Sequence, residues 1–368
     1  MVGTAASAQL GVRLTGVLDL PSRIDRLSGA ARERANRLYE LRLVRGHTVP
    51  PPELEAWLAT TFGSLEAVHD QAVMKVTNRV TLDATLFAPL RGRRPLDGPN
   101  RAGDLSAEVA DTEGDPFCHP ETGTPAERFG RIRGARLVTG ANAALADAHH
   151  AVLVLDTHDP LGFDAETIVD VLRTGRTWAE RARRDDPDAV NYLLIWNCLW
   201  RAGSSIIHGH AQALLGSGLH YAAIERLRRD AAGYAGDLVE EMVAVHRSVG
   251  LVEEMGGGVT LVAHLTPRKE RELLLVGSAG MDETDPAFAD ALARTLIAYR
   301  DRIGVRSFNL ALWRAPLARA DGWGAIPPMV WLVDRGAPFL RPSDIGAMEL
   351  YGTPIVASDP FDLIEALR

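Results

Sequence analysis

Apolar residues fall along this chain in two textures. Up to about residue 75 they recur at helical spacing among many charges; beyond Val76 they gather into short apolar runs and alternating stretches divided by turn residues. In the first texture, the segment from Ala30 to Leu43 places Ala31, Ala35, Leu38, Tyr39 and Leu41 in a near-amphipathic pattern. Pro50, Pro51 and Pro52 break it, and Leu54, Trp57, Leu58 and Leu65 resume it between Glu53 and Ala67. Residues 21 to 75 are therefore predicted to be helical. In the second texture, Val80–Phe87 reads as extended, Ala151–Leu155 and Leu193–Trp196 read as buried strands, and Val259–His264, Glu272–Val276, Phe308–Trp313 and Met329–Val333 as further strands. Between them the periodicity predicts a helix from about 165 to 184 capped by Asp164, and one long helix from Ala222 to Val249 bent near Gly233. A third helix begins with Asp285 before Pro286 and ends before Gly304. Residues 96 to 114, rich in Gly, Pro, Asp and Ala, read as a surface loop.

Each half of the chain thus shows two strands, a helix and two more strands, with Leu193–Trp196 and Phe308–Trp313 in matching places. The repetition points to an internal duplication in an α+β chain. The expected organisation is an N-terminal helical extension (1–75), a first repeat that carries the chemistry (76–220) and a second, degenerate repeat (221–368).

Composition narrows the class. At 368 residues with 46% hydrophobic and 24% charged residues, the chain reads as an ordinary globular protein with a large core. A net charge of −8 disfavours an extended nucleic-acid surface. Only Cys118 and Cys198 are present, so no disulfide framework is expected, and a reducing cytoplasm is the default. The first residues lack the charged start and apolar core of a secretory signal, and no run of about 18 apolar residues predicts a membrane span.

The most informative stretch is His208-Gly209-His210-Ala211-Gln212. Two-residue spacing is the repeat of an extended strand, so both imidazoles and the amide are expected on one face. Such a row suits one ring attacking phosphorus while its neighbours hold the phosphoryl oxygens. The alternative is a His-rich strand that only satisfies its own hydrogen bonds. Just upstream, the turn Gly203-Ser204-Ser205 offers backbone N–H groups and hydroxyls to phosphate.

With these residues in place, the chain resembles the galactose-1-phosphate uridylyltransferase branch of the histidine-triad superfamily. The resemblance covers roughly residues 76 to 358. It is carried by the His-x-His-x-Gln strand, by Thr85–Pro95 with its Arg91 and Arg94, by Asp115-Pro116-Phe117-Cys118 followed by Thr124-Pro125-Ala126-Glu127, by Val152–Asp159, by Asn197 eleven residues before His208, and by Met348-Glu349-Leu350 before Pro354. It implies two tandem repeats, each a mainly antiparallel sheet flanked by helices. It implies a nucleotidyltransferase that moves a nucleoside monophosphate from a nucleotide sugar to a sugar phosphate through a covalent nucleotidyl-histidine. His210 would be the nucleophile, one ring nitrogen held by a backbone carbonyl, with Gln212 donating to a non-bridging oxygen. Arg91, Arg94, Asn142, Asn197, Gly203, Ser204 and Ser205 would contact phosphate or substrate, and Glu349 a sugar hydroxyl. Zinc would be held by Asp115, Cys118, His158 and His208, and the protein would form a homodimer.

Several positions depart from the family pattern. Asp115 stands where the family commonly has Cys, which hardens the metal site. The family's nucleoside-contacting Asn-Asp pair falls on Gly140 and Ala141, with Asn142 next, and Ile355 replaces a hexose-contacting Gln. The histidines of a second metal site are missing from Pro327–Asp334. These changes put UDP-glucose and galactose 1-phosphate in doubt as the natural pair. A phosphorylase or hydrolase acting on a dinucleoside polyphosphate or nucleotide sugar stays open, as does a catalytically silent nucleotide-binding protein. His119, His149 and His150 read as structural or solvent-facing.

Overall fold

The computed structural model describes residues 15–94, 103–324, 326–340 and 343–368. The readings of the first residues and of part of the 96–114 loop lie outside them. Among the described residues, four strands form a small sheet: β1 (Tyr39–His47), β2 (Asp70–Asn78), β3 (Ala84–Phe87) and β13 (Ile355–Val356), in the order β1-β2-β3-β13. Nine form the main sheet: β4 (Leu137–Ala141), β5 (His149–Leu155), β6 (Asn191–Cys198), β7 (His210–Gly216), β8 (Val252–Gly256), β9 (Val259–Ala263), β10 (Leu273–Val276), β11 (Phe308–Trp313) and β12 (Met329–Asp334). Their order is β4-β5-β7-β6-β11-β12-β10-β9-β8, antiparallel throughout.

The order reads as a near mirror about the β6–β11 seam, where Phe308 pairs with Cys198 and Leu312 with Leu194. The two runs with matching places in the sequence are therefore the strands that join the halves. One face of the sheet is sealed by the helices Ala165–Asp185 and Pro286–Asp301. Gly175 makes the first approach close: a Cβ there would lie 2.5 Å from the Tyr192 hydroxyl and 2.8 Å from Leu194. Both helices start as read, with Asp164 accepting from Thr167 N–H at 2.8 Å and Asp285 from Ala287 N–H at 2.9 Å.

Four local readings are corrected. Residues 21 to 75 are not all helical: the helix Gly29–Leu38 gives way to β1, which pairs over nine residues with β2. Tyr39, Leu41 and Leu43 alternate, and that two-residue period wins once a partner strand is present. Ala222–Val249 is two helices, Ala222–Gly233 and Leu238–Val249, divided where Asp237 caps the second by accepting from Glu240 N–H at 2.9 Å. Residues Leu105–Ala110, expected within a loop, form a short helix capped by Asp104. The extended stretch from Val80 is shorter than read, since a turn precedes β3. No helix among the described residues is long and apolar enough to cross a membrane.

Candidate active site

β7 begins at His210, and Gln212, two residues on, faces the same side. Register puts Val154 of β5 opposite His210, and Val152 of β5 and Ile195 of β6 opposite Gln212. Asn197 lies one alternation beyond Ile195 and joins the same face. His208 does not belong to the strand row; it stands at the bend before it, where Nε2 donates to the Leu155 carbonyl at 2.9 Å.

The His210 ring is 6% exposed. Its Nδ1 donates to the His208 carbonyl at 2.8 Å, and Phe117 packs edge-on with ring centroids 5.0 Å apart. Burial pushes the imidazole pKa down, which favours the neutral ring. A neutral ring with its proton on Nδ1 keeps a lone pair on Nε2. Two amides flank it: Gln212 Oε1 lies 2.8 Å from His150 Nε2, and Asn197 Oδ1 accepts from Asn309 Nδ2 at 2.7 Å.

Asp115, Cys118, His158 and His208 come together, with one candidate ligand atom from each lying within 4.8 Å of the others. His158 Nδ1 is 3.1 Å from His208 Nδ1 and 3.3 Å from Cys118 Sγ, which is 3.6 Å from His208 Nδ1. Asp115 oxygens lie 3.9 Å and 3.7 Å from the two rings. Tetrahedral ligands around a zinc-sized ion are separated by roughly 3.3–3.8 Å, given bonds of about 2.0–2.3 Å. The tautomers agree. His158 Nε2 donates to the Val109 carbonyl at 2.9 Å, as His208 Nε2 does to Leu155, so both Nδ1 atoms present lone pairs to each other. Two lone pairs that close repel unless a cation lies between them. Asp115 Oδ1 caps the turn below by accepting from Phe117 and Cys118 N–H at 2.7 and 3.1 Å, while buried Oδ2 has no partner. The donor set fits a divalent metal.

The other predicted contacts divide. Gly203 takes the left-handed conformation (φ +95) and Leu199, at the head of the same turn, is held at φ +68, a strained value for a side-chain-bearing residue. The Ser204 hydroxyl donates to the Ile206 carbonyl at 2.5 Å, and Ser205 is exposed beside it. Asn142 follows β4 and folds back on its own loop, its oxygen accepting from Ala144 N–H at 2.9 Å. Arg91, Arg94 and Glu349 line a cavity of about 970 Å³, together with Arg335, Asp344 and Ile355. Glu349 is paired there with Lys269 at 2.6 Å. Burial, then the neighbouring Arg94, lower the pKa of Arg91, the mark of a cation short of counter-charge. Neither His210 nor Gln212 lines this cavity.

Three residues that residue order does not single out stand at this candidate site. His150, which reads in sequence as structural or solvent-facing, is 5% exposed and bonded to Gln212. Asn309 and Arg335 come from the second half, and Arg335 donates to Asn309 Oδ1. The parity of His150 with Val152 and Val154 was the available signal, but it acquires meaning only with the β5–β7 register.

No family model and no curated protein sequence matches the chain. Solved structures do. It is similar to an ADP-glucose phosphorylase from Arabidopsis thaliana with bound ADP-glucose, at 16% identity and a TM-score of 0.62 over 81% of this chain and 98% of that one. A galt-like protein from the same plant aligns at 15% identity and a TM-score of 0.56, over 70% and 92%. A uridylyltransferase aligns at 14% identity and a TM-score of 0.53, over 80% and 97%. At these identities the likeness is one of fold. The chain has the fold shared by these phosphorylase, galt-like and uridylyltransferase structures.

Proposed function

We propose that the protein is a nucleotidyl-transferring enzyme that passes a nucleoside monophosphate through His210. The observation that carries this reading is the His210 ring itself: Nδ1 is committed to a backbone carbonyl at 2.8 Å, leaving Nε2 as a buried nucleophile between two amides. In the first step Nε2 attacks the α-phosphorus of a nucleoside diphosphate sugar; an N–P bond forms and the P–O bond to the sugar phosphate breaks. The leaving group departs as a phosphate monoester, which bears its charge without a proton from the enzyme. In the second step an acceptor phosphate oxygen attacks phosphorus and the N–P bond breaks, restoring the ring. The Gln212 amide donates to a non-bridging oxygen in both steps. Zinc, held by Asp115, Cys118, His158 and His208, would tie the turn before β7 to the end of β5 and fix the backbone that carries His210.

Arg91, Arg94 and Glu349 line a cavity whose wall also holds Arg335, the residue that donates to Asn309. Whether these residues act on the ligand of their own His210 or on that of a second copy is open to a direct test, and we propose a homodimer in which the second copy supplies them. Mixing His210→Ala with an Arg91→Ala/Arg94→Ala double variant should then restore activity that neither shows alone; an inactive mixture of folded, associated chains excludes the shared site. Inorganic phosphate is the acceptor that Ile355 favours, because this apolar residue lies in the cavity wall where a hexose-contacting amide was expected. Intact-mass measurement after incubation with UDP-glucose, ADP-glucose or dinucleotides tests the first step. A nucleotidyl adduct absent from His210→Ala is expected, and subsequent addition of phosphate or hexose phosphates identifies the acceptor. Reversible binding with no adduct favours a silent nucleotide-binding protein.

A further inference from the structure

The two side-chain amides beside His210 are each tied down at one end. On the β6 side, Arg335 donates to Asn309 Oδ1, so the Asn309 NH2 group is the end that faces inward. It donates to Asn197 Oδ1 and to the Ala202 carbonyl, both at 2.7 Å. Asn197 therefore presents its oxygen to Asn309 and its own NH2 group to the site. On the β5 side, Ala146 N–H donates to His150 Nδ1 at 3.1 Å. A neutral imidazole that accepts at Nδ1 carries its proton on Nε2, and that N–H donates to Gln212 Oε1 at 2.8 Å. The Asn142 NH2 group, 3.3 Å from the same Nε2, meets a donor there and does not compete. Gln212, like Asn197, is left with its NH2 group unspent.

We propose that His150 and Asn309 are positioning residues that lock the amides of Gln212 and Asn197 with both NH2 groups turned to the ligand at His210. The inference rests on reading His210 as the phosphoryl acceptor, and it narrows the ligand to a group offering two anionic oxygens, one to each amide. An unlocked amide turns over readily, and its reversed form sets a carbonyl oxygen against an anion. The lock on Asn197 comes from β11 and is oriented by Arg335, whose own guanidinium is held by Asp344 at 2.5 and 2.9 Å. The second half thus supplies geometry to the first half's site without supplying a reacting group.

The test is the single-turnover rate of His210 adduct formation with saturating UDP-glucose or ADP-glucose. Asn309→Asp keeps the shape but reverses the hydrogen bond, so that Asn197 must turn its NH2 group away; a loss of about 100-fold is expected, the scale of removing one oxyanion donor. His150→Leu should lose about 10-fold, and His150→Gln, which keeps a donor at the place of Nε2, should recover most of it. The decisive comparison is a double-mutant cycle: His150→Leu should cost nothing further in a Gln212→Leu background. Nitrogen-15 NMR should find His150 as the Nε2–H tautomer. Additive losses in the cycle, or an Nδ1–H tautomer, overturn the inference while leaving adduct formation intact. A wild-type protein that forms no adduct at all removes the reading of His210 and the inference with it.

Discussion

The same face of one sheet is used in two ways. On the β5-β7-β6 flank it carries His150, Gln212, His210 and Asn197, a row of nitrogen donors and one free lone pair. On the β12-β10-β9 flank, register places Trp331 beside Ala311 and Met329 beside Trp313, both apolar pairs. There the helices Ala222–Gly233 and Leu238–Val249 close over the strands, leaving about 50 Å³ lined by Leu227, Met242, Val262, Leu274 and Trp331. The Arg268 guanidinium lies 4.1 Å from the Trp331 ring centroid and completes the seal. Histidines occur on both flanks, but to different ends. His264 is bonded to Glu272 at 3.1 Å and stacks on His246, whose two ring nitrogens are spent on Met242 O and Leu265 N–H. Strand order alone does not decide where chemistry sits. The flanks differ in what surrounds the ring. His264 also keeps one nitrogen without a partner, but it lies among apolar side chains under the two helices. His210 instead has the amides of Gln212 and Asn197 on its own face of the sheet.

The largest effect should come from the β5-β7-β6 flank. His210→Ala is expected to abolish adduct formation and to lower turnover by at least about 10³-fold, because no other group there supplies a lone pair. Its melting temperature should stay near that of the wild type. A variant that keeps even a tenth of the activity would place the nucleophile elsewhere and dissolve the contrast. The metal cluster comes next. Asp115→Asn keeps an acceptor for the two cap bonds and removes the charge; metal content after dialysis should fall by at least about 10-fold in affinity, with a lower melting temperature. Full metal retention would mean that Cys118, His158 and His208 bind it without the carboxylate.

Much of this arrangement was legible in residue order. Phe308–Trp313 forms with the bounds read from its alternation, and Asp164 and Asp285 cap their helices as their positions beside apolar periodicity required. The family resemblance put forward four residues as metal ligands, and Asp115, Cys118, His158 and His208 do converge. The failures share a physical cause, dependence on a distant partner. Tyr39–His47 looks helical until Asp70–Asn78 lies beside it. His150 looks idle until β7 brings Gln212 alongside, and the cavity lined by Arg91, Arg94 and Glu349 is assembled from both halves of the chain, which no spacing encodes.

On the covered flank the expected effects are on stability. Trp331 is 8% exposed and packs against His264 and Trp313. Trp331→Ala should cost about 3–5 kcal/mol in a denaturant titration, the usual range for emptying such a site. Adduct formation, scaled to the folded fraction, should be unchanged. A loss of rate at full folding would show that the sealed flank also shapes the His210 flank.

The smallest effect concerns the buried imidazole of that flank. Burial, reinforced by His264, lowers the His246 pKa to about 3. In the unfolded chain it would titrate near 6.5, so between these values the unfolded state binds the extra proton. Stability from this group is therefore complete above about pH 6.5 and declines as the pH falls towards 3, by at most about 2 kcal/mol between pH 7 and pH 5. Buried carboxyls with raised pKa values, such as Glu127 and Asp334, act in the opposite direction, so the total slope does not isolate His246. The difference between wild type and His246→Gln does. Urea midpoints at the two pH values should converge in the variant, which keeps an acceptor for Leu265 N–H but has no proton to gain. An unchanged slope would mean that His246 reaches solvent, and that the helices do not seal this flank.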